Sequence, residues 1–243
     1  MVTEIESLGT LLGVWAHPDD ETYLSAGIMS AASGCGQRVV CVTATKGEAG
    51  SSDLDKWPLE SLPEVREKEL KEALSILSAG DAPIEHHWLG YRDGECDRVD
   101  PDEAIAKLAG LIDGVQPDSV LTFGPDGMTG HTDHKAVCNW TTAAFKTAAP
   151  AGSKLYYATT TQELFDLVAP VFEPFNVFFA GLPAITDPDD LAIDFPLDDD
   201  LIARKEKAIR AQASQSEGMF EALDVSFFVA SQRREFYSLA ATR

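Results

Sequence analysis

The chain has 243 residues, 44% of them hydrophobic, enough to bury the core of one α/β domain spanning residues 1–243, and nothing in the composition requires a second. Forty acidic residues against 19 basic ones give a formal net charge of −21, which excludes a general affinity for nucleic acid or an anionic membrane, since both need a basic footprint. The opening MVTEIESLG is acidic and without a signal-type apolar centre, no apolar run is long enough to span a bilayer, and Cys35, Cys41, Cys96 and Cys138 lack Cys-x-x-Cys spacing, so a soluble cytoplasmic protein with free thiols is expected.

TLLGVWA, ending at Ala16, is short and continuously apolar, as in a strand covered on both faces. ETYLSAGIMSAASG predicts a helix stopping at Gly34, and the β-branched RVVCVTAT at 38–45 predicts a second strand. A loop rich in Ser, Asp, Gly and Pro runs from Lys46 to Pro63, after which Leu70, Leu74 and Leu77 fall at helical spacing. IEHHWLG reads as a third strand, PDEAIAKLAGLIDGV as a helix with proline near its start, and DSVLTFG as a fourth strand. HTDHKAVCNWTTAAFKTAA is again helical and KLYYATT again extended. The region 161–200, with FEPFNVFFAGLP and the acid-rich DPDDLAIDFPLDDD, reads as a solvated loop with irregular structure or short strands. DDDLIARKEKAIRAQASQS is a capped helix and REFYSLA a closing strand. This alternation predicts an α/β fold with a mainly parallel sheet and helices on both faces.

Ligands of such sheets bind beyond the carboxyl ends of the strands. That rim receives His17, Asp19, Asp20 and Glu21 after the first strand, Glu48 after the second and Asp93 after the third. Asp126, His131, Asp133 and His134 follow the fourth. His86 and His87 lie within the third strand and read as packed or half-exposed strand residues. Acids after Pro18 are ordinary at a helix start, where they cap orphan N–H groups, but capping does not explain the adjacent His17. The pair in GHTDH shares one helical face and taken alone would be surface decoration. On neighbouring rim loops the two motifs together predict a metal site. Two imidazoles and one carboxylate leave a coordination position open, as at catalytic zinc and some iron(II) centres. The doublet Asp19-Asp20 can provide one carboxylate for the metal and one for the attacking water.

AHPDDE after the first strand and GHTDH after the fourth resemble the PIG-L/LmbE-like N-acetylglucosaminyl deacetylases, zinc hydrolases with a Rossmann-like three-layer sandwich. TKGEAG, VREKEL, LGYRDG, KAIRAQASQ and the terminal EFY resemble further family landmarks in family order. The resemblance implies that His17, Asp20 and His134 ligate zinc, with iron(II) the alternative ion. It also implies that Asp19 is the general base and that His131 stabilises the oxyanion or protonates the leaving amine. Asp133 would orient His131, Arg66 would contact sugar hydroxyls, and Glu48 and Asp93 would line the pocket. Thr129 stands where some members carry a substrate-side tyrosine, and Gln212 where the family usually has histidine. The implied substrate is an acetylated amino sugar or glycoconjugate. An amidase acting on a thiol-sugar conjugate and a non-catalytic metal- or sugar-binding relative are the alternatives, and oligomers are frequent in the family. A nucleotide-binding enzyme is disfavoured, because no Gly-x-Gly-x-x-Gly turn is present and the acids after Ala16 would repel a pyrophosphate.

Overall fold

Seven strands account for the apolar runs of the sequence: β1 (Leu11–Trp15), β2 (Val39–Thr45), β3 (Glu85–Tyr91), β4 (Ser119–Phe123), β5 (Lys154–Thr159), β6 (Ile193–Pro196) and β7 (Arg234–Thr242). In the computed structural model, which describes residues 4–173, 177–178 and 180–243, they form one sheet in the order β3-β2-β1-β4-β5-β7-β6. Strands β1 to β5 are parallel, while β7 runs antiparallel to both β5 and β6. Every residue of β1, β2 and β4 is buried, as continuously apolar central strands require.

Ten helices accompany the strands among the described residues: α1 (Asp20–Leu24), α2 (Ala26–Gly34), α3 (Leu62–Leu77), α4 (Pro101–Val115), α5 (Gly127–Gly130), α6 (Thr132–Ala148), α7 (Gln162–Phe172), α8 (Asp199–Ala211), α9 (Ala213–Ala222) and α10 (Val225–Gln232). Helices α2, α3 and α8 pack together, and α4 packs on α6. Right-handed crossovers therefore put the connections β1 to β2 to β3 on one face and β3 to β4 to β5 on the other. The strand order reverses between β1 and β4, the position at which open α/β sheets bind ligands.

Three stretches depart from the expected elements. The first predicted helix is broken at Ser25, and β7 repairs the break. Tyr237 donates its hydroxyl to the Leu24 carbonyl (2.8 Å), while the Glu235 carboxylate accepts the Gly27 and Ile28 N–H groups (2.8 and 2.9 Å). Lys205 of α8 completes the cluster through a 2.8 Å pair with Glu235, both side chains 1% exposed. The helix predicted near the C-terminus is divided into α8 and α9 at Gln212. Within 161–200, the solvated-loop reading is corrected at 162–172, which is helical, capped by the Thr161 hydroxyl accepting the Leu164 N–H. Leu164, Phe165, Val168 and Phe172 fall at helical spacing there, a pattern masked in the sequence by Pro170 and the neighbouring acids. The short strand in this region is β6. Of FEPFNVFFAG, residues 174–176 and 179 lie outside the described residues. No helix among the described residues is long and apolar enough to cross a membrane, and all four cysteines are free.

Candidate metal centre

The chain leaves β1 through His17 and Pro18 and enters α1 at Asp20, whose carboxylate folds back to accept the N–H groups of Ala16 (3.1 Å) and His17 (2.8 Å). Those two bonds fix the carboxylate at the strand end. From β4, the loop through Gly127 delivers His134 on the first turn of α6, where its ring stacks on Phe123 at 4.1 Å and its Nδ1 meets the Gly127 carbonyl at 2.9 Å. The Nε2 of His134 then lies 3.2 Å from Nδ1 of His17 and 3.4 Å from Oδ1 of Asp20.

The hydrogen bonds assign the tautomers. His134 can donate to a carbonyl only from Nδ1–H, and the other side of His17, Nε2, faces the carboxylates of Asp93 (3.0 Å) and Asp133 (3.2 Å), to which it donates. With both rings neutral, the two remaining ring nitrogens aim lone pairs at each other across 3.2 Å, beside a carboxylate. A metal ion, or a proton on Nδ1 of His17, relieves that arrangement, and backing of each imidazole by a carbonyl or carboxylate is the usual support of a metal-bound histidine. The carboxylates favour positive charge at this point: burial disfavours it on His17, yet Asp133, Asp93 and Asp20 push the pKa up to about 10, so a proton fills the gap between the rings when no metal does. Two nitrogens and one oxygen suit zinc or iron(II). His131 also brings a ring nitrogen within 4.8 Å of those of His17 and His134.

Asp19 stands beside this centre with a strained backbone, φ 121°, a conformation that costs about 1–3 kcal/mol for a residue with a Cβ. Its N–H is held by Glu21 Oε2 (3.0 Å), and its carbonyl accepts from Thr22 and Tyr23. Arg66 grips its carboxylate at 3.1 Å. Burial pushes the Asp19 carboxyl up to about 6 against the pull of Arg66, a range suited to a base near neutrality. His131 accepts the Asp133 N–H on Nδ1 (3.2 Å), which leaves its proton on Nε2, and burial and the His17 charge lower its pKa. It is a neutral N–H donor.

Several expected residues occupy the site in roles different from those anticipated. The Asp133 side chain is fully buried and holds His17, not His131, while also accepting the N–H groups of Gly94 (2.8 Å) and Cys96 (3.1 Å). Its backbone N–H meets His131. Arg66 is 3% exposed, with its Nη atoms on the carbonyls of Gly47 and Pro18 and on Asp19, so it braces the Asp19 loop where a sugar contact was anticipated. Asp93 faces His17 and accepts the Ala49 N–H (2.9 Å), and Glu48 accepts the Asp93 N–H (3.1 Å). Thr129 lies at the cavity edge, 3.4 Å from Nδ1 of His134.

Other contributors were not assigned from the sequence. Gln212 donates to Glu21 (2.7 Å) and accepts from the Thr22 hydroxyl (2.7 Å), which fixes the carboxylate that holds Asp19. Its place in AQASQ marked it, but nothing in the sequence gave its partner. Gly47 has φ +65°, and a Cβ there would collide with the Arg66 guanidinium. A cavity of about 580 Å³ opens from the centre, with Asp19, Asp20, Thr129 and His134 on its border.

The family model for PIG-L, GlcNAc-PI de-N-acetylase, matches residues 12–145. A 1D-myo-inositol 2-acetamido-2-deoxy-alpha-D-glucopyranoside deacetylase from Tsukamurella paurometabola is 32% identical, over 84% of this chain and 82% of its own length. A mycothiol S-conjugate amidase from Streptomyces coelicolor is 33% identical over 57% of this chain and 52% of its own. The zinc-inhibited form of teicoplanin deacetylase Orf2 superposes with a TM-score of 0.66 over 96% of this chain and 98% of that one; at 15% identity the likeness is one of fold.

Proposed function

The chain belongs to the PIG-L family of GlcNAc de-N-acetylases, and from that premise we propose that it removes the acetyl group from a 2-acetamido sugar conjugate, with zinc held by His17, Asp20 and His134. The observation that carries the reading is the convergence of two imidazole nitrogens and a carboxylate beside a half-buried, strained Asp19. An ion at that point would supply a Lewis acid that polarises a carbonyl and lowers the pKa of water to roughly 7.

The chain's own groups account for the protons. Asp19, poised by burial and held by Arg66 and the Glu21–Gln212 pair, accepts a proton from water as the oxygen adds to the amide carbon. The neutral Nε2–H of His131 donates to the negative charge that develops on the former carbonyl oxygen. The C–N bond then breaks, Asp19 returns the proton to the leaving nitrogen, and acetate and a free amine result. Asp133 and Asp93 keep His17 in one tautomer throughout. Free cysteines fit a reducing compartment, so the proposed setting is the cytoplasm.

The test is acetate release from methyl N-acetylglucosaminide and related 2-acetamido sugars, before and after chelation. Chelator-sensitive release, restored by zinc, is expected. Absence of release from metal-replete protein across the panel would reject the deacetylase reading.

A further inference from the structure

Resting on that reading, we infer that the substrate carries a large, neutral, apolar substituent, seated in the cavity beside the metal centre. An acetamido sugar alone is small for this space, since cavities of several hundred Å³ commonly enclose a drug-sized ligand. The walls are apolar: Phe165, Val168 and Phe172 of α7, then Phe178, Met219 and Phe236. Helix α7 contains no fully buried residue, although its apolar residues recur at helical spacing. At its end Phe172 packs on the small core of Ile209, Met219 and Phe228, and Phe165 meets Phe178, but the rest of the inward face borders the space, an arrangement that leaves apolar area wet until a ligand covers it.

Three polar side chains on the same walls are engaged elsewhere. Arg234 is paired with Asp194, and Glu235 with Lys205. The Thr159 hydroxyl is bonded to Thr186 (2.7 Å) and to the Ala184 carbonyl (3.1 Å). Arg234, the one Arg or Lys among the described lining residues, has Nε and Nη2 on Asp194, and with a net charge of −21 around it the cavity is a weak counterpart to a phosphate or carboxylate, which favours neutral groups.

Such a group could be carried as the aglycone or as a longer acyl chain on the amide, and two substrate series separate these sources. Alkyl N-acetylglucosaminides of increasing chain length probe the first, and N-acyl glucosamines the second. In the series that enters the cavity, kcat/KM is expected to rise by up to about fourfold per methylene, equivalent to ~0.8 kcal/mol, until the space is filled. Calorimetric Kd values for the same compounds on chelated protein should fall in parallel, with a negative heat-capacity change. Val168→Asp should collapse the long-to-short ratio. Leu167→Asp, on the outer side of the same helix, where Leu167 is 41% exposed, should preserve it. Flat series on both sides with acetate still released would overturn this inference and leave the deacetylase reading standing. No hydrolysis anywhere would reject that reading, and flat Kd values would then reject the apolar ligand as well.

Discussion

Asp19 concentrates the argument at the scale of one residue. It combines a backbone strained at φ 121°, a pKa raised by burial and a carboxylate gripped by Arg66. Asp19→Asn should lower kcat/KM by about 10²–10⁴-fold while bound metal is retained, because Asp20 and both imidazoles are untouched. Steady-state kinetics with elemental analysis checks this, and wild-type turnover in the variant would remove Asp19 from the role. His86 sets a separate expectation for acid stability. Half-buried on β3 and bonded to Thr43 (3.0 Å), it has a pKa lowered to about 4 by burial and by the nearby charges of His87 and Lys71. The unfolded chain takes up this proton near pH 6.5 and the folded chain only near 4, so stability is complete above that window and falls as pH drops through it. The loss is on the order of 2 kcal/mol, and His86→Gln should remove it from the difference between urea midpoints at pH 7 and pH 4.5. Equal pH dependence in the two proteins would contradict the assignment. Residue types and spacing made the cluster legible in the sequence, because imidazoles and acids after successive strand ends can only converge. What they could not give was direction: Asp133 and His131 are neighbours but serve different partners, and Arg66 points under the Asp19 loop and away from the cavity.

At the scale of elements, the break between α1 and α2 explains why the terminal strand carries Glu-Phe-Tyr. Glu235 and Tyr237 satisfy backbone groups orphaned at Ser25, and Phe236 between them borders the cavity. Removing the carboxylate would leave Lys205 buried and uncompensated, so Glu235→Ala should cost about 3–5 kcal/mol in urea unfolding. Pairing Glu235→Leu with Lys205→Met should recover part of that, since no buried charge then remains, and a neutral single variant would refute the account. The central strands and α4 were readable from continuous apolar runs and from proline at a helix start. Helix α7 was not, because its apolar face borders a space, so that flanking acids and Pro170 outweighed a weak helical period. The division at Gln212 was equally hidden: its cause is the reach of that side chain to Glu21, a contact across 191 positions of sequence.

For the whole molecule, the charge balance is decisive for stability and silent about chemistry. An excess of 21 negative charges repels itself in the folded state, whereas the exposed ion pairs that salt would weaken are each worth only about 0–1 kcal/mol. Raising ionic strength from about 10 mM to about 0.15 M, which shortens the Debye length from about 30 to about 8 Å, should therefore raise Tm. A fall would mean that attractive pairs dominate. The parallel order was legible as a whole because alternation of strand and helix admits few topologies, and the switch between β1 and β4 follows from it. The central claim is that this switch point holds a divalent cation between His17, Asp20 and His134. Elemental analysis of protein purified without added metal, beside His134→Ala, tests it most directly. One zinc per chain, lost from the variant while its circular dichroism stays unchanged, is the predicted result. No metal in the wild type after zinc reconstitution, or full occupancy in the variant, would contradict it.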